Sequence, residues 1–536
     1  MYAAVLGLAV SCSSPEKMAE KSENVTVKCN PAVLEVRGGE INATVAVTYP
    51  EDYFHPKAIL EVTPVIVYEG GEQTMEPFIF QGENVKDNYE VIPSDGATVT
   101  KKVKFTYVPG MEKSYLELRG TVSYKSKYAD LPTKKVADGA NTTYMLVCQK
   151  GKLDLKADGY QEIIKETAEG QILYNINSAE VRNSQITSKS IKNFQAALEE
   201  IKANERKTLV ATDIVAYASP DGKEDKNAKL SDKRSSTAHK AFNNVTKKNK
   251  VDGPVNVTSV AEDWEGFQEL VSASDLEDRD LIIRVLSMYS DPAVREQEIR
   301  NMSAVYTSLA KEVLPELRRA RFIANVEYQN FSNEEILQLV EENIDVLDAT
   351  ALMRAASLVQ ENEQKAELYK KAAEKFDCKP AYYNLAVTYI KMDKLGKAKS
   401  ALDKCDHDAD WNNAMGVIAL REGEYAQAER CFTAAGTETA KENMAVLDVL
   451  NGNYKAAAEK LAGKEGYNAA LVALLNGNPA PAAALKCNCP QVAYLRAVAA
   501  ARQGNATAVI TNLDEAKKCD KLAEKALKDI EFVQFR

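Results

Sequence analysis

Apolar and polar positions alternate with a period of two through much of the first 150 residues. The alternation runs through 25–27 and 33–36, breaks at Gly38-Gly39, and resumes from Ile41 to Tyr49 through Val45 and Val47. It returns at 65–68 before Gly70-Gly71, at 103–107 before Pro109-Gly110, and at 115–118 and 122–124. Successive side chains of a strand point to opposite faces, so this pattern predicts half-buried strands joined by tight turns. Short strands with regular turn signals predict an all-β sandwich over residues 24–155, with Tyr49, Tyr53 and Phe54 in its core.

The period changes near residue 168. Residues 172–176 predict a strand. The stretch 189–204, with Ile191, Phe194, Leu198 and Ile201 at helical spacing, predicts an amphipathic helix. A strand is expected over 209–217, a turn at Ser219-Pro220-Asp221-Gly222, a helix over 228–245 and a strand over 255–260. Alternating strand and helix predict an α/β domain over 168–330, completed by helices and a last strand near 324–328.

From 331 onward the pattern is helical. Ser332-x-x-Glu335 is a capping box for a helix pair over 334–376. Asn384, Asn413, Asn443 and Asn468 each open a helix rich in small residues, followed by a turn and a second helix. The turn glycines Gly423, Gly452, Gly477 and Gly504 recur at intervals of 29, 25 and 27 residues. Such a period predicts an all-α solenoid over 331–536, each glycine ending a helix in a left-handed cap.

Composition narrows the function. The 536 residues carry 68 basic and 78 acidic side chains, a formal charge of -10, without the basic surplus of a nucleic-acid binder. No apolar run is long enough for a transmembrane helix. The three histidines, His55, His239 and His407, fall in different predicted domains. His407, in Cys405-Asp406-His407-Asp408, reads as part of a polar loop between repeats, with a metal site as the alternative. No phosphate loop, dinucleotide glycine pattern, His-Glu-x-x-His or Gly-x-Ser-x-Gly motif occurs, so no enzymatic activity and no cofactor is expected. Glu262 and Asp263 do not make a catalytic pair on the sequence alone. Cys29 and Cys148 bracket the first domain and are candidates for a disulfide, whereas Cys487 and Cys489 have no second pair at zinc spacing.

The N-terminus, residues 1–23, is of another kind. Tyr2 to Val10 is unbroken small and apolar sequence, followed by Ser11-Cys12 and a polar spacer, the tail of a signal peptide. Ala9-Val10-Ser11-Cys12 resembles a lipobox. The resemblance implies a lipid on Cys12 that anchors the protein to the outer membrane, on its periplasmic face.

Two further resemblances concern whole domains. Residues 174–181, then Ala216-Tyr217-Ala218-Ser219-Pro220-Asp221-Gly222 and Asn227-x-x-Leu230-Ser231-x-x-Arg234, resemble the peptidoglycan-binding signature of OmpA-C-like domains. In that family an Asp and an Arg hold diaminopimelate of the wall peptide, by charge matching and paired hydrogen bonds. Arg234 and Asn227 stand at the family's Arg and Asn positions. Ser219 occupies the Asp position, and Asp221 is the acid nearest to it. The resemblance implies peptidoglycan as a partner, with Arg234 and the turn 219–222 converging on a solvent-open notch. Residues 261–319 resemble the extension that follows such domains in Bacteroidota. The helical array resembles tetratricopeptide repeats, implying protein partners in a concave surface. Together these features predict a multidomain, non-enzymatic envelope lipoprotein scaffold. The alternative is a surface, adhesion or fimbria-associated lipoprotein whose OmpA-like domain has lost wall binding, as Ser219 suggests.

Overall fold

The structure, a computed structural model, describes residues 15–220, 224–247, 253–276, 278–301 and 303–536. The chain forms two compact units. One joins Met1–Lys156 to Cys378–Arg536, and the other is Ala157–Asp377.

The β-rich part of the first unit departs from a sandwich of two separate sheets. It is one continuous sheet of eleven strands, curled over on itself. Strand Val33–Arg37 makes the connection. Val36 and Arg37 pair antiparallel with Glu40–Tyr49, whereas Val33 and Glu35 pair parallel with Lys134–Asn141. One strand thus serves both layers. The curl brings Tyr49 within 6.0 Å, ring to ring, of Phe80 on the opposite layer, with Tyr53 and Phe54 at 5.7 and 5.8 Å. The disulfide expected between Cys29 and Cys148 is not formed, and both thiols are free. Cys29 lies in the sheet opposite Val45, whereas the backbone of Cys148 is held by Asn468.

The C-terminal part of this unit is built of helix pairs, Lys379–Lys391 with Leu395–Leu402, Ala409–Glu422 with Tyr425–Ala435, Glu438–Leu450 with Tyr454–Lys460, Tyr467–Leu475 with Ala480–Ala483, and Pro490–Arg502 with Ala506–Ala516, followed by helix Asp520–Lys528 and the 3-10 turn Ile530–Phe535. Each first helix closes in the same way. The N–H groups of Lys394, Glu424, Asn453, Asn478 and Asn505 donate to the carbonyls five residues back, at 2.7–2.9 Å. That closure needs a left-handed residue just before the donor, supplied by Gly423, Gly452, Gly477 and Gly504 at φ 71–88°. In the first pair Asp393 fills this position at φ 59°, not the nearby Gly396. The helices begin at Lys379, Ala409, Glu438 and Tyr467, ahead of the asparagines that the sequence reading placed at helix starts. Asp408 and Thr437 cap the second and third by accepting from the N–H groups of Trp411 and Ala440.

The second unit contains a four-stranded sheet. Ile163–Leu173 and Lys207–Tyr217 flank Arg319–Gln329 antiparallel, and Val255–Val260 runs parallel to Lys207–Tyr217. Helices Lys189–Ala203 and Glu224–Thr246 bury their apolar faces on it, and Phe194, Phe242 and Phe322 meet at 5.5–6.4 Å. The strand predicted over 172–176 ends at Leu173, and Asn177 adopts φ 53° in the turn that follows. Where the sequence predicts one helix pair over 334–376, three helices occur: Asn333–Glu342, Ala349–Leu358 and Asn362–Phe376. The capping box at Ser332 and Glu335 is present, and Asp348 caps the additional helix.

Candidate functional site

Four asparagines of the helix pairs define the site, Asn384, Asn413 and Asn443 buried and Asn468 half-buried. A carboxamide has one acceptor and one donor side by side, matching the N–H and C=O of a single residue in an extended chain. Asn384 accepts from the Lys156 N–H at 2.8 Å and donates to the Lys156 carbonyl at 2.9 Å. Asn443 does the same for Lys152 at 2.7 and 2.9 Å, and Asn468 for Cys148 at 2.9 and 2.9 Å. Asn413 donates to the Lys152 carbonyl at 3.2 Å and accepts from Asn443 at 2.9 Å. The asparagines therefore grip one segment at every fourth residue, and the segment runs opposite to the order of the repeats. The open concave surface expected from the sequence is filled by the chain's own residues 148–156.

Around these clamps the contacts become specific. Arg421 donates to the Lys150 carbonyl at 2.9 and 2.6 Å, and Lys152 reaches both carboxylate oxygens of Glu442 at 3.0 Å. Lys156 pairs with Asp408 at 2.7 Å and with Asp410, and its ammonium lies over the Tyr383 ring. Gly151, at φ 75°, lies against Val417, where an added Cβ would come within 2.5 Å of Cγ1. Gly151→Val is therefore expected to expel the segment, which limited proteolysis would detect as new cleavage within 148–156 of the intact protein. Unchanged protection would mean that the contact with Val417 yields freely.

The ion pair gives the segment a pH dependence. Burial opposes the charge of Lys156, but Asp408 and Asp410 outweigh it and hold the ammonium above its ordinary pKa. Burial likewise opposes the charge of Asp408, yet Lys156 and the Trp411 N–H hold its carboxyl below the ordinary value. A depressed carboxyl stabilises the fold above its unfolded pKa and loses that contribution as the pH falls through the folded one. Amide exchange at Lys156, corrected for intrinsic rate, should therefore rise below about pH 4. The lysine's contribution is lost only in the alkaline range, above about pH 10.

The residues predicted to meet peptidoglycan lie in the second unit. Asn227, Ser231, Arg234 and Ala238 share the buried face of helix Glu224–Thr246. The guanidinium of Arg234 is not open to solvent as the sequence reading requires: the residue is 1% exposed. It donates to the carbonyls of Ser178 at 2.9 Å, Tyr217 at 2.9 Å and Asn175 at 3.1 Å, and lies over the Tyr174 ring. Those carbonyls belong to a turn and a strand end, which leave acceptors that the sheet ladder does not supply with donors. Asn227 donates to the Ser219 carbonyl at 3.1 Å, and both residues are buried. Asp221 and Cys12 lie outside the described residues. Asp263 caps helix Trp264–Ser272 through the Gly266 N–H and accepts from Arg319 at 2.8 and 3.1 Å, a buried structural pair.

His407 stacks on Trp411 with ring centres 4.0 Å apart. Among the described residues no cluster of three or more His, Cys, Asp or Glu side chains is arranged to hold a metal, and no helix is long and apolar enough to cross a membrane. The sequence reading put 148–155 in the β-sandwich, but the last strand there is Lys134–Asn141, and the role of 148–156 in the repeats was not foreseen. The available signal was one asparagine recurring among apolar helix positions, at intervals of 29, 30 and 25 residues.

No family model matches the chain, and no curated protein matches it. Among solved structures it is similar to YrrB, described as a TPR protein with an unusual peptide-binding site, at 20% identity. That match covers 37% of this chain and 100% of that one, with a TM-score of 0.21. It is also similar to a chain of the APC/C hetero-tetramer Cut9-Hcn1 at 13% identity, covering 55% of this chain and 62% of that one, with a TM-score of 0.22. By its fold the chain is mixed: a β-rich N-terminal region and a C-terminal region of consecutive helix pairs.

Proposed function

We propose that this chain is a non-enzymatic scaffold of the bacterial envelope, and that its repeat groove is a site for extended polypeptide with residues 148–156 as resident occupant. The carrying observation is the set of paired carboxamide contacts to Cys148, Lys152 and Lys156. Such contacts read backbone, so they hold a chain largely irrespective of its sequence. The test uses a labelled peptide of residues 147–157 with the full-length protein. The Gly151→Val variant should bind it and the wild type should not. A variant with intact helices that ignores the peptide would end the reading.

Anchoring at the outer membrane rests on the lipobox-like Ala9-Val10-Ser11-Cys12. Metabolic palmitate labelling should disappear in Cys12→Ala, and persistence of the label would refute the anchor. For the central α/β domain the burial of Arg234 favours the surface or adhesion reading, in which the OmpA-C resemblance is one of fold and wall binding is lost. Ser219 at the family's Asp position supports this too. The full-length protein should then stay in solution when purified peptidoglycan sacculi are sedimented. Sedimentation abolished by diaminopimelate-containing stem peptide would restore the scaffold tethered to the wall.

A further inference from the structure

The thiols of this chain are of two kinds. Burial pushes Cys29, Cys405 and Cys431 up from the ordinary thiol range, Cys405 to about 11, so they stay protonated near neutral pH. Cys487 is exposed, in the loop between helices Ala480–Ala483 and Pro490–Arg502. Cys489, two residues on, stands at the N-cap of the second helix. The Cys489 N–H donates to the Cys487 sulfur at 3.3 Å, and the two thiols are in hydrogen-bonding contact. The thiol contact, then the N–H, and lastly the Arg496 guanidinium hold the Cys487 thiol below its ordinary value. Arg496 is tied to the same loop, donating to the Leu485 carbonyl at 3.0 Å and to Asn488 Oδ1 at 3.5 Å, and it has no carboxylate partner among the described residues. Its charge is therefore available to a thiolate. The Cys489 side chain makes no capping bond to its helix of 13 residues, so a sulfur anion there would meet unfilled N–H groups.

We propose that Cys487 and Cys489 form a dithiol that exchanges with accessible disulfides, Cys487 as the attacking sulfur and Cys489 as the resolving one. The Cys487 thiolate attacks one sulfur of the incoming disulfide. A bond forms between them, the incoming S–S bond breaks, and its other sulfur leaves as a thiolate that takes a proton from water. Cys489 loses its proton to solvent and attacks the Cys487 sulfur. The Cys487–Cys489 bond forms, the mixed disulfide breaks, and the second thiolate leaves and is protonated in turn. The dithiol loses two electrons and two protons, and the incoming disulfide gains both as two thiols. The thiols already touch, so the second attack needs only local movement. A small-molecule disulfide and an exposed disulfide of a polypeptide share this chemistry. The exchange does not depend on the groove, so the two readings stand or fall separately.

The test incubates the full-length protein with glutathione disulfide, quenches with acid, blocks remaining thiols with N-ethylmaleimide and weighs the tryptic peptide 487–496, which holds both cysteines and no other. That peptide should lose two hydrogens and retain no glutathione. Cys489→Ser should stop with one glutathione on Cys487, because the second attack has no sulfur. Cys487→Ser should leave Cys489 reacting at least about tenfold more slowly than Cys487 does in the wild type. A disulfide-closed peptide run in parallel separates the two sources. Faster exchange with it than with glutathione disulfide would assign a polypeptide partner, and the reverse a small molecule. An unchanged peptide 487–496, glutathione on both cysteines without an internal bond, or a rate no greater than that of Cys405 in the same digest would overturn the proposal.

Discussion

Alanine in place of Arg234 is expected to lower the unfolding free energy of the second unit by about 4 kcal/mol. The side chain donates to three backbone carbonyls from a position 1% exposed to solvent. Its removal takes the side-chain donor from the Ser178 and Tyr217 carbonyls in an enclosed space, whereas the Asn175 carbonyl still accepts from the Ser178 N–H at 3.2 Å. Each unpaired buried group costs about 1–3 kcal/mol, and the costs do not add fully because the turn 174–178 can relax. Lysine should recover only part of the loss, since a single ammonium lacks the planar fork that spans the three carbonyls. Urea unfolding in a Trp411→Phe background, where Trp264 reports on the same unit, measures the effect. A loss under about 1 kcal/mol would mean that this guanidinium does not hold the fold together.

Asn443→Ala should cost about 3 kcal/mol in the first unit. Its carboxamide makes both contacts to Lys152 and also donates to Asn413, all in a buried position. Truncation leaves the Lys152 N–H without its acceptor and Asn413 without its donor. The Lys152 amide should exchange faster by the same free energy if release of the segment precedes global unfolding. Asn443→Asp retains the acceptor but loses the donor, so an intermediate effect is expected. Asn468→Ala should cost less, because that clamp is only half-buried. A silent Asn443→Ala would show that residues 148–156 lie in the groove without being held by it.

Local pattern located most elements closely. The helix expected over 189–204 is Lys189–Ala203, and the strand Val255–Val260 matches its prediction. In the helix the buried face, Ile191, Phe194, Leu198 and Ile201, follows a period that the residues themselves display. The ends were less legible. The strand expected to reach residue 176 stops at Leu173, because Asn177 turns the chain through a left-handed conformation that hydrophobic spacing does not encode. Asp393 takes the place that the other repeats give to glycine. The sandwich became one curled sheet because a single short strand found partners on both sides, a choice of pairing invisible to alternation along the chain.

The candidate site divides in the same way. The repeats and their recurring asparagines are written in the sequence, as is the run that resembles a wall-binding signature. Nothing along residues 148–156 announces their role, because their backbone partners lie 228–320 residues away. Likewise, the position of Arg234 can be read from its motif, but the direction of its donors cannot. Periodicity is a property of neighbours on one element, so the chain alone determined its strands, helices and repeats. Which buried amide meets which backbone group depends on elements brought together from distant parts of the chain, and only the tertiary structure decided that.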